Sequence, residues 1–271
     1  MKKICSVLLI LAMIFSVSAC GSTPEASSIP PLVLTGMTPE DALTAIVDRT
    51  ASFGKLNLEL NSTVSTSSDP TSTTDLATHT VLRIEGLGSE DFRAAQESAQ
   101  TISGSRIDLK TNTYYADGIF MVDSSGTDLM GELSTEDAAG HFDAGIALRP
   151  TAYLTGLTMT QDETAGTYTL TGSIDMTQAT DLAKEYSRYM GLNHISNLIW
   201  DPTTYTLVVN SQGDPVSASL TTGAMFTASE AIGVCTAQFD YSYLDTGDGF
   251  AVEIPNASGF TKVAPEALGL D

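Results

Sequence analysis

"TYYADGIFMVDSSG", residues 113–126, is the stretch that decides the fold. Asp117-Gly118 is a turn pair of the kind that joins two neighbouring strands. Just upstream, "SRIDLKTNTYY" alternates with a period of two, as a half-buried strand does. The same period runs through much of the chain. Leu56, Leu58 and Leu60 alternate with Asn57, Glu59 and Asn61, and in "HTVLRIEG" Leu82 and Ile84 oppose Arg83 and Glu85. It returns in "TYTLTGSIDM", "TYTLVVNSQGDPVSASLTTG" and "CTAQFDYSYLDTGDGFAVEIP". Turn signals stand at Gln212-Gly213-Asp214-Pro215 and Gly247-Asp248-Gly249. Strands of this pattern pair antiparallel, with one face apolar and the other wet. "DFRAAQESAQ" reads as helix by its Ala and Gln content and as strand by its position.

One helical segment precedes the strands and two interrupt them. In "TPEDALTAIVDRTASFG", Thr38 is an N-cap, Pro39 suits the first helical position and Asp41 stands where a capping-box acid would. Leu43, Ile46, Val47 and Thr50 recur at helical spacing, Phe53 continues the stripe and Gly54 ends it. Ser134 to His141 begins as a short capped turn. Residues 177–190 place Leu182, Ala183, Tyr186, Tyr189 and Met190 on one side, with Gly191 to close the end. The span 37–263 is compatible with one antiparallel β domain, and the tail 264–271 is expected to be loose.

The N-terminus carries an address. Lys2 and Lys3 precede an apolar run from Val7 to Val17, too short for a bilayer span of about 20 residues. Val17-Ser18-Ala19-Cys20 resembles the bacterial lipoprotein lipobox, which makes residues 1–19 a signal peptide and Cys20 the lipidated first residue. Stable attachment needs more than one acyl chain, which lipidation at such a cysteine supplies. Residues 20–36, rich in Ser, Pro and Gly, read as a flexible spacer. The expected place is extracytoplasmic, anchored at the outer leaflet of the cell membrane.

The whole chain has 12 basic and 33 acidic residues; without residues 1–19 it has ten and 33, a net charge of −23. That excludes nucleic acid, whose binding relies on Lys and Arg neutralising phosphates, and a broad electrostatic dock on anionic headgroups. Cys235 sits in the apolar stretch "AIGVCTAQF" and reads as a small packed hydrophobe.

The order of elements resembles the LolA/LolB/LppX-like lipoprotein superfamily, and within it the Firmicutes lipoproteins of the uncharacterised DUF6612-like type. "TYYADGIFMVDSSG" carries the resemblance as a Tyr-x-x-Asp-Gly-x-Tyr/Phe hairpin. "YTLVVNSQGDPVSASLTTG" and "FDYSYLDTGDGFAVEIP" agree in character. One departure is Asp128-Leu129-Met130, where such domains often carry a Trp. The resemblance implies an α+β, mainly antiparallel fold: a curved half-open β-barrel covered by helices on its concave side. It also implies a lipid tail or other apolar ligand between sheet and helices. The lining positions would be Leu43, Ile46 and Val47 on the helix, and Leu58, Leu82, Ile84, Leu109, Leu170, Leu207, Val209, Phe239 and Phe250 on strands. An apolar gap of this kind stays dry and accepts a tail. The same residues would equally be the core of a filled barrel.

Catalytic chemistry is not expected. "SFGK" (Ser52–Lys55) fits Ser-x-x-Lys, but no Lys-Thr-Gly or Ser-Asp-Asn follows. His79, His141 and His194 share no metal-ligand spacing, and zinc needs three or more ligands. "DSSGTD" and "DTGDG" lack the alternating acids and closing Glu of a calcium loop and read as hairpin turns. The expected function is non-catalytic and free of cofactor or metal: carriage or sensing of a lipid or a lipoprotein acyl chain at the envelope. The alternative is a structural or protein-interaction module with a closed core. The first needs an unfilled cavity under the helices; the second needs a packed core and an exposed apolar patch.

Overall fold

The computed structural model describes residues 30–69, 72–104, 108–142, 147–195, 197–228, 231–245 and 250–268. The chain enters its sheet in the middle. Helix α1 (Pro39–Ala51) leads into β1 (Lys55–Asp69). From there β2 (Ser72–Glu85), β3 (Arg93–Ile102), β4 (Asp108–Ala116), β5 (Ile119–Ser124) and β6 (Thr127–Glu132) step antiparallel to one edge. The chain then crosses to the opposite edge, by way of α2 (Thr135–His141) and a 3-10 turn at Arg149–Tyr153. It returns through β7 (Leu154–Asp162), β8 (Thr167–Ile174), α3 (Thr180–Tyr189), β9 (Ile199–Trp200), β10 (Thr203–Asn210), β11 (Pro215–Ala228) and β12 (Ala231–Asp245). β12 pairs with β1, so two meanders meet in the centre of one sheet. β13 (Thr261–Lys262) adds a short parallel pairing to β6. β7 and the β6/β13 edge do not pair with each other, which leaves the barrel half open, as expected.

Local signals explain most boundaries. The Thr38 hydroxyl accepts the Asp41 N–H at 3.2 Å and donates to the Asp41 carboxylate at 2.8 Å, and Glu40 and Asp41 sit at the positive end of α1. Asp117 (φ 52°) and Gly118 (φ 79°) form a two-residue turn whose twist matches its strands, and Ser125 (φ 49°) and Gly126 (φ 89°) form another. "DSSGTD" is therefore a hairpin turn; "DTGDG" falls largely outside the described residues. α3 starts later than its apolar stripe suggests. Asp175 accepts from the N–H and hydroxyl of Thr177, holding that residue in a turn, and the same bonds lower the Asp175 carboxyl below its ordinary range.

The described structure settles one open reading and corrects two expectations. Residues 93–102 are strand, because they pair on both sides with β2 and β4. The spacer is shorter than residues 20–36: Pro30–Gly36 is docked. Leu34 is 1% exposed, the Leu32 N–H donates to the Gln212 carbonyl at 2.9 Å and the Thr35 and Tyr168 hydroxyls pair at 2.9 Å. Cys20 and the signal segment lie outside the described residues. The chain beyond Asp245 is neither strand at Phe250 nor loose after Val263. Phe250–Pro255 has no strand pairing; it crosses the outer face of β1, where the Lys55 ammonium lies 5.9 Å from the Phe250 ring centroid. A 3-10 turn at Pro265–Leu268 then buries Leu268 against Gly131, where any Cβ would meet it at 2.9 Å.

Candidate functional site

Strand register places residues from distant parts of the sequence in rows across the inner face. One row starts at Leu60 on β1 and runs through Tyr241, Ala218, Leu207, Leu170 and Met159 to β7. The same row, followed the other way, reads Thr80, Ser98, Thr111, Ser124 and Thr127. The next row repeats the switch. Phe239, Leu220 and Tyr205 lie on one side of Ser62, and Thr78, Gln100 and Leu109 on the other. The concave face thus has an apolar half and a hydroxyl and amide half.

The apolar half is covered and filled. Tyr186 of α3 stands edge-on to Phe239, with ring centroids 4.8 Å apart, and its hydroxyl pairs with that of Tyr241 at 3.3 Å. Leu182 is 1% exposed beside it. The Tyr205 hydroxyl donates to the Ala147 carbonyl at 2.6 Å. Burial raises the pKa of Tyr186, Tyr205, Tyr241 and Tyr243 well above the ordinary phenol range, and Tyr189 is pushed up to about 12, by burial first and then by Glu185. All remain neutral hydroxyls at any physiological pH.

The other half is closed at one end only. Phe92, Tyr115, Phe120 and Phe142 pack there at centroid distances of 5.6–6.4 Å, with His141 edge-on to Phe120 at 4.9 Å. Beyond them Thr80, Ser98, Thr111 and Ser124 are half-buried. Thr80 donates to Ser98 at 3.1 Å, and the Thr111 and Ser124 hydroxyls pair at 3.1 Å. At the boundary the Thr113 hydroxyl is buried with no hydrogen-bond partner. No charged side chain stands in these two rows.

Nine of the expected lining residues meet in one buried cluster: Leu43, Ile46, Leu58, Leu82, Ile84, Leu170, Leu207, Val209 and Phe239, with Val47 packed against it. Leu109 lies on the inner face but is 43% exposed. Phe250 lies on the outer face, over Lys55. Two surface hollows, of about 460 and 540 Å³, lie at the β4–β5 turn and on the outer face, neither of them beneath α1 or α3. Sequence reasoning missed the hydroxyl rows. Their only trace is parity: Thr78 and Thr80 share the phase of Leu82 and Ile84.

The other motifs resolve plainly. The Ser52 hydroxyl donates to the Arg49 carbonyl and Lys55 pairs with Glu85 at 3.1 Å, so "SFGK" is a helix end and a strand start. Cys235 is fully buried, 3.4 Å from the Thr66 hydroxyl, and burial raises its thiol pKa. Among the described residues no three His, Cys, Asp or Glu side chains cluster as metal ligands, and no helix is long and apolar enough to cross a membrane.

No family model and no curated protein matches the chain. Solved structures do resemble it. LprF from Mycobacterium bovis is 13% identical over 80% of this chain and 96% of its own, with a TM-score of 0.42. The Mycobacterium tuberculosis lipoprotein LppX is 11% identical over 79% and 98%, with a TM-score of 0.38. A LolA superfamily protein from Nitrosomonas europaea is 12% identical over 78% and 95%, with a TM-score of 0.25. The half-barrel assignment rests on the chain's own strand order.

Proposed function

We propose that this chain is a non-catalytic, lipid-anchored binding protein of the cell envelope that holds a lipid or another ligand with an apolar tail on its concave face. The observation that supports this is the join between the two halves of that face. An apolar floor under α3 continues along the same rows into a half-open, uncharged hydroxyl floor. The apolar half is filled by α3, so a tail enters only by displacing the Tyr186 and Tyr189 side chains from Phe239, and the polar end of the ligand faces Thr80 and Ser98. Anchorage at Cys20 keeps the site near the membrane that supplies the ligand.

The test is mass spectrometry of an organic extract from the exported Cys20→Ser chain. A stoichiometric lipid is expected. A clean extract that also takes up no added lipid overturns the reading.

One observation favours a second reading, a closed-core interaction module. Ile199, Met225, Ile232 and Val234 are 63%, 40%, 72% and 41% exposed near the end of the β11–β12 hairpin, and Met225 pairs in register with both Ile199 and Val234. An exposed apolar patch of this kind marks a contact surface.

A further inference from the structure

The outer face of β2–β4 carries a hollow separated by the sheet from the concave face. Phe250–Pro255 crosses this side as a strap, with Val252 buried to 6% exposure. Between strap and strands lies a space of about 540 Å³, lined by Arg83, Ala95, Glu97 and Tyr114 from below and by Glu253 and Ile254 from the strap. That volume is of small-ligand size.

We propose that this hollow binds a small zwitterion, a free amino acid or dipeptide, with Arg83 taking its carboxylate and Glu97 its ammonium group. The two side chains already form a pair, Arg83 Nη1 to Glu97 Oε1 at 2.7 Å. A guanidinium has five donors in a planar fork, so an incoming carboxylate finds donors beyond the one engaged here. Glu253 offers a second carboxylate to the ammonium end. Ala95 forms part of the floor and Ile254 part of the opposite wall, so the hollow has an apolar side as well as a charged one.

Charge selects the class. A simple anion meets Glu97 and Glu253 within a strongly acidic chain, and a simple cation meets Arg83. A ligand that carries both charges partners Arg83 and Glu97 together when it opens their pair, whereas a single charge leaves one of the two to water.

The experiment is calorimetric titration of the exported Cys20→Ser chain with L-leucine and L-alanyl-L-leucine, against N-acetyl-leucine and leucine amide as single-charge probes. Saturable binding of at least one zwitterion is expected, with each capped probe weaker by about tenfold or more. Arg83→Gln and Glu97→Gln are each expected to weaken binding by about tenfold, with circular dichroism and the melting temperature reporting the fold of each variant. Absence of saturable heat from both zwitterions up to about 10 mM overturns the proposal, as does equal binding of a capped probe. The capped probes test it on the unmutated protein, whatever the variants do.

Discussion

The two halves of the concave face share one sheet, one pleat and the same rows, yet they are finished differently. From Leu60 towards β7 the row is apolar, with α3 packed at Tyr241 and α1 against β7; from Thr80 towards β6 it is hydroxylated and half-buried without such a cover. Apolar surface is driven out of water at about 25 cal/mol per Å², so the first half requires a lid. Hydroxyls that pair with one another, or with water, carry no such demand. The chemistry of the rows decides where the short helices rest.

The strongest way to break this comparison is to strip the lid. Tyr186→Ala removes a ring packed on Phe239 and a hydroxyl paired with Tyr241, and is expected to cost about 3–5 kcal/mol in urea unfolding. Ser98→Ala, in the opposite half, loses one neutral hydrogen bond and is expected to cost less than about 1.5 kcal/mol. Equal losses from the two would mean that the halves are equally structural.

A second test concerns what covers the apolar half near its N-terminal entry. Leu34 is 1% exposed, so Leu34→Ala is expected to cost about 2–5 kcal/mol. A truly flexible spacer would make it silent. The corresponding measurement is the urea midpoint, with its slope unchanged.

These two tests mark what the sequence could and could not reveal. α1 was legible because its cap, its Pro39 and its apolar stripe lie within a few residues of one another. The Asp117-Gly118 turn was legible for the same reason. Arg93–Ile102 was not, since Ala95, Gln96, Ala99 and Gln100 suit a helix and only pairing with β2 and β4 makes them strand. Pro30–Gly36 has the composition of a spacer, and its docking depends on Gln212 and Tyr168, far along the chain. The apolar lining was readable from alternation, whereas the hydroxyl row joins Thr80, Ser98, Thr111 and Ser124 only once register is known.

The edge of the aromatic end within the hydroxyl half offers a test of opposite sign. Thr113 is 6% exposed and its hydroxyl has no partner, so the folded state bears a desolvation cost. Thr113→Val keeps the shape and removes that cost. It is expected to stabilise the fold by about 1 kcal/mol, read as a higher urea midpoint.

The smallest effect is a pH dependence at the closed end of the hydroxyl half. The His141 ring packs edge-on to Phe120 and Phe142, and this partial burial lowers its pKa from 6.5. The folded state therefore binds fewer protons than the unfolded state between the lowered value and 6.5. Its contribution is complete above 6.5 and is lost as pH falls through that window. The ring is also more than a third exposed, so solvent screening keeps the effect below about 1 kcal/mol. The measurement is the difference in urea midpoint between the parent and His141→Gln at pH 7.5 and in the window below 6.5. A parent that loses stability relative to the variant on acidification places the ring in the aromatic end of the half-barrel. Identical pH profiles would leave that end held by Phe92, Phe120 and Phe142 alone.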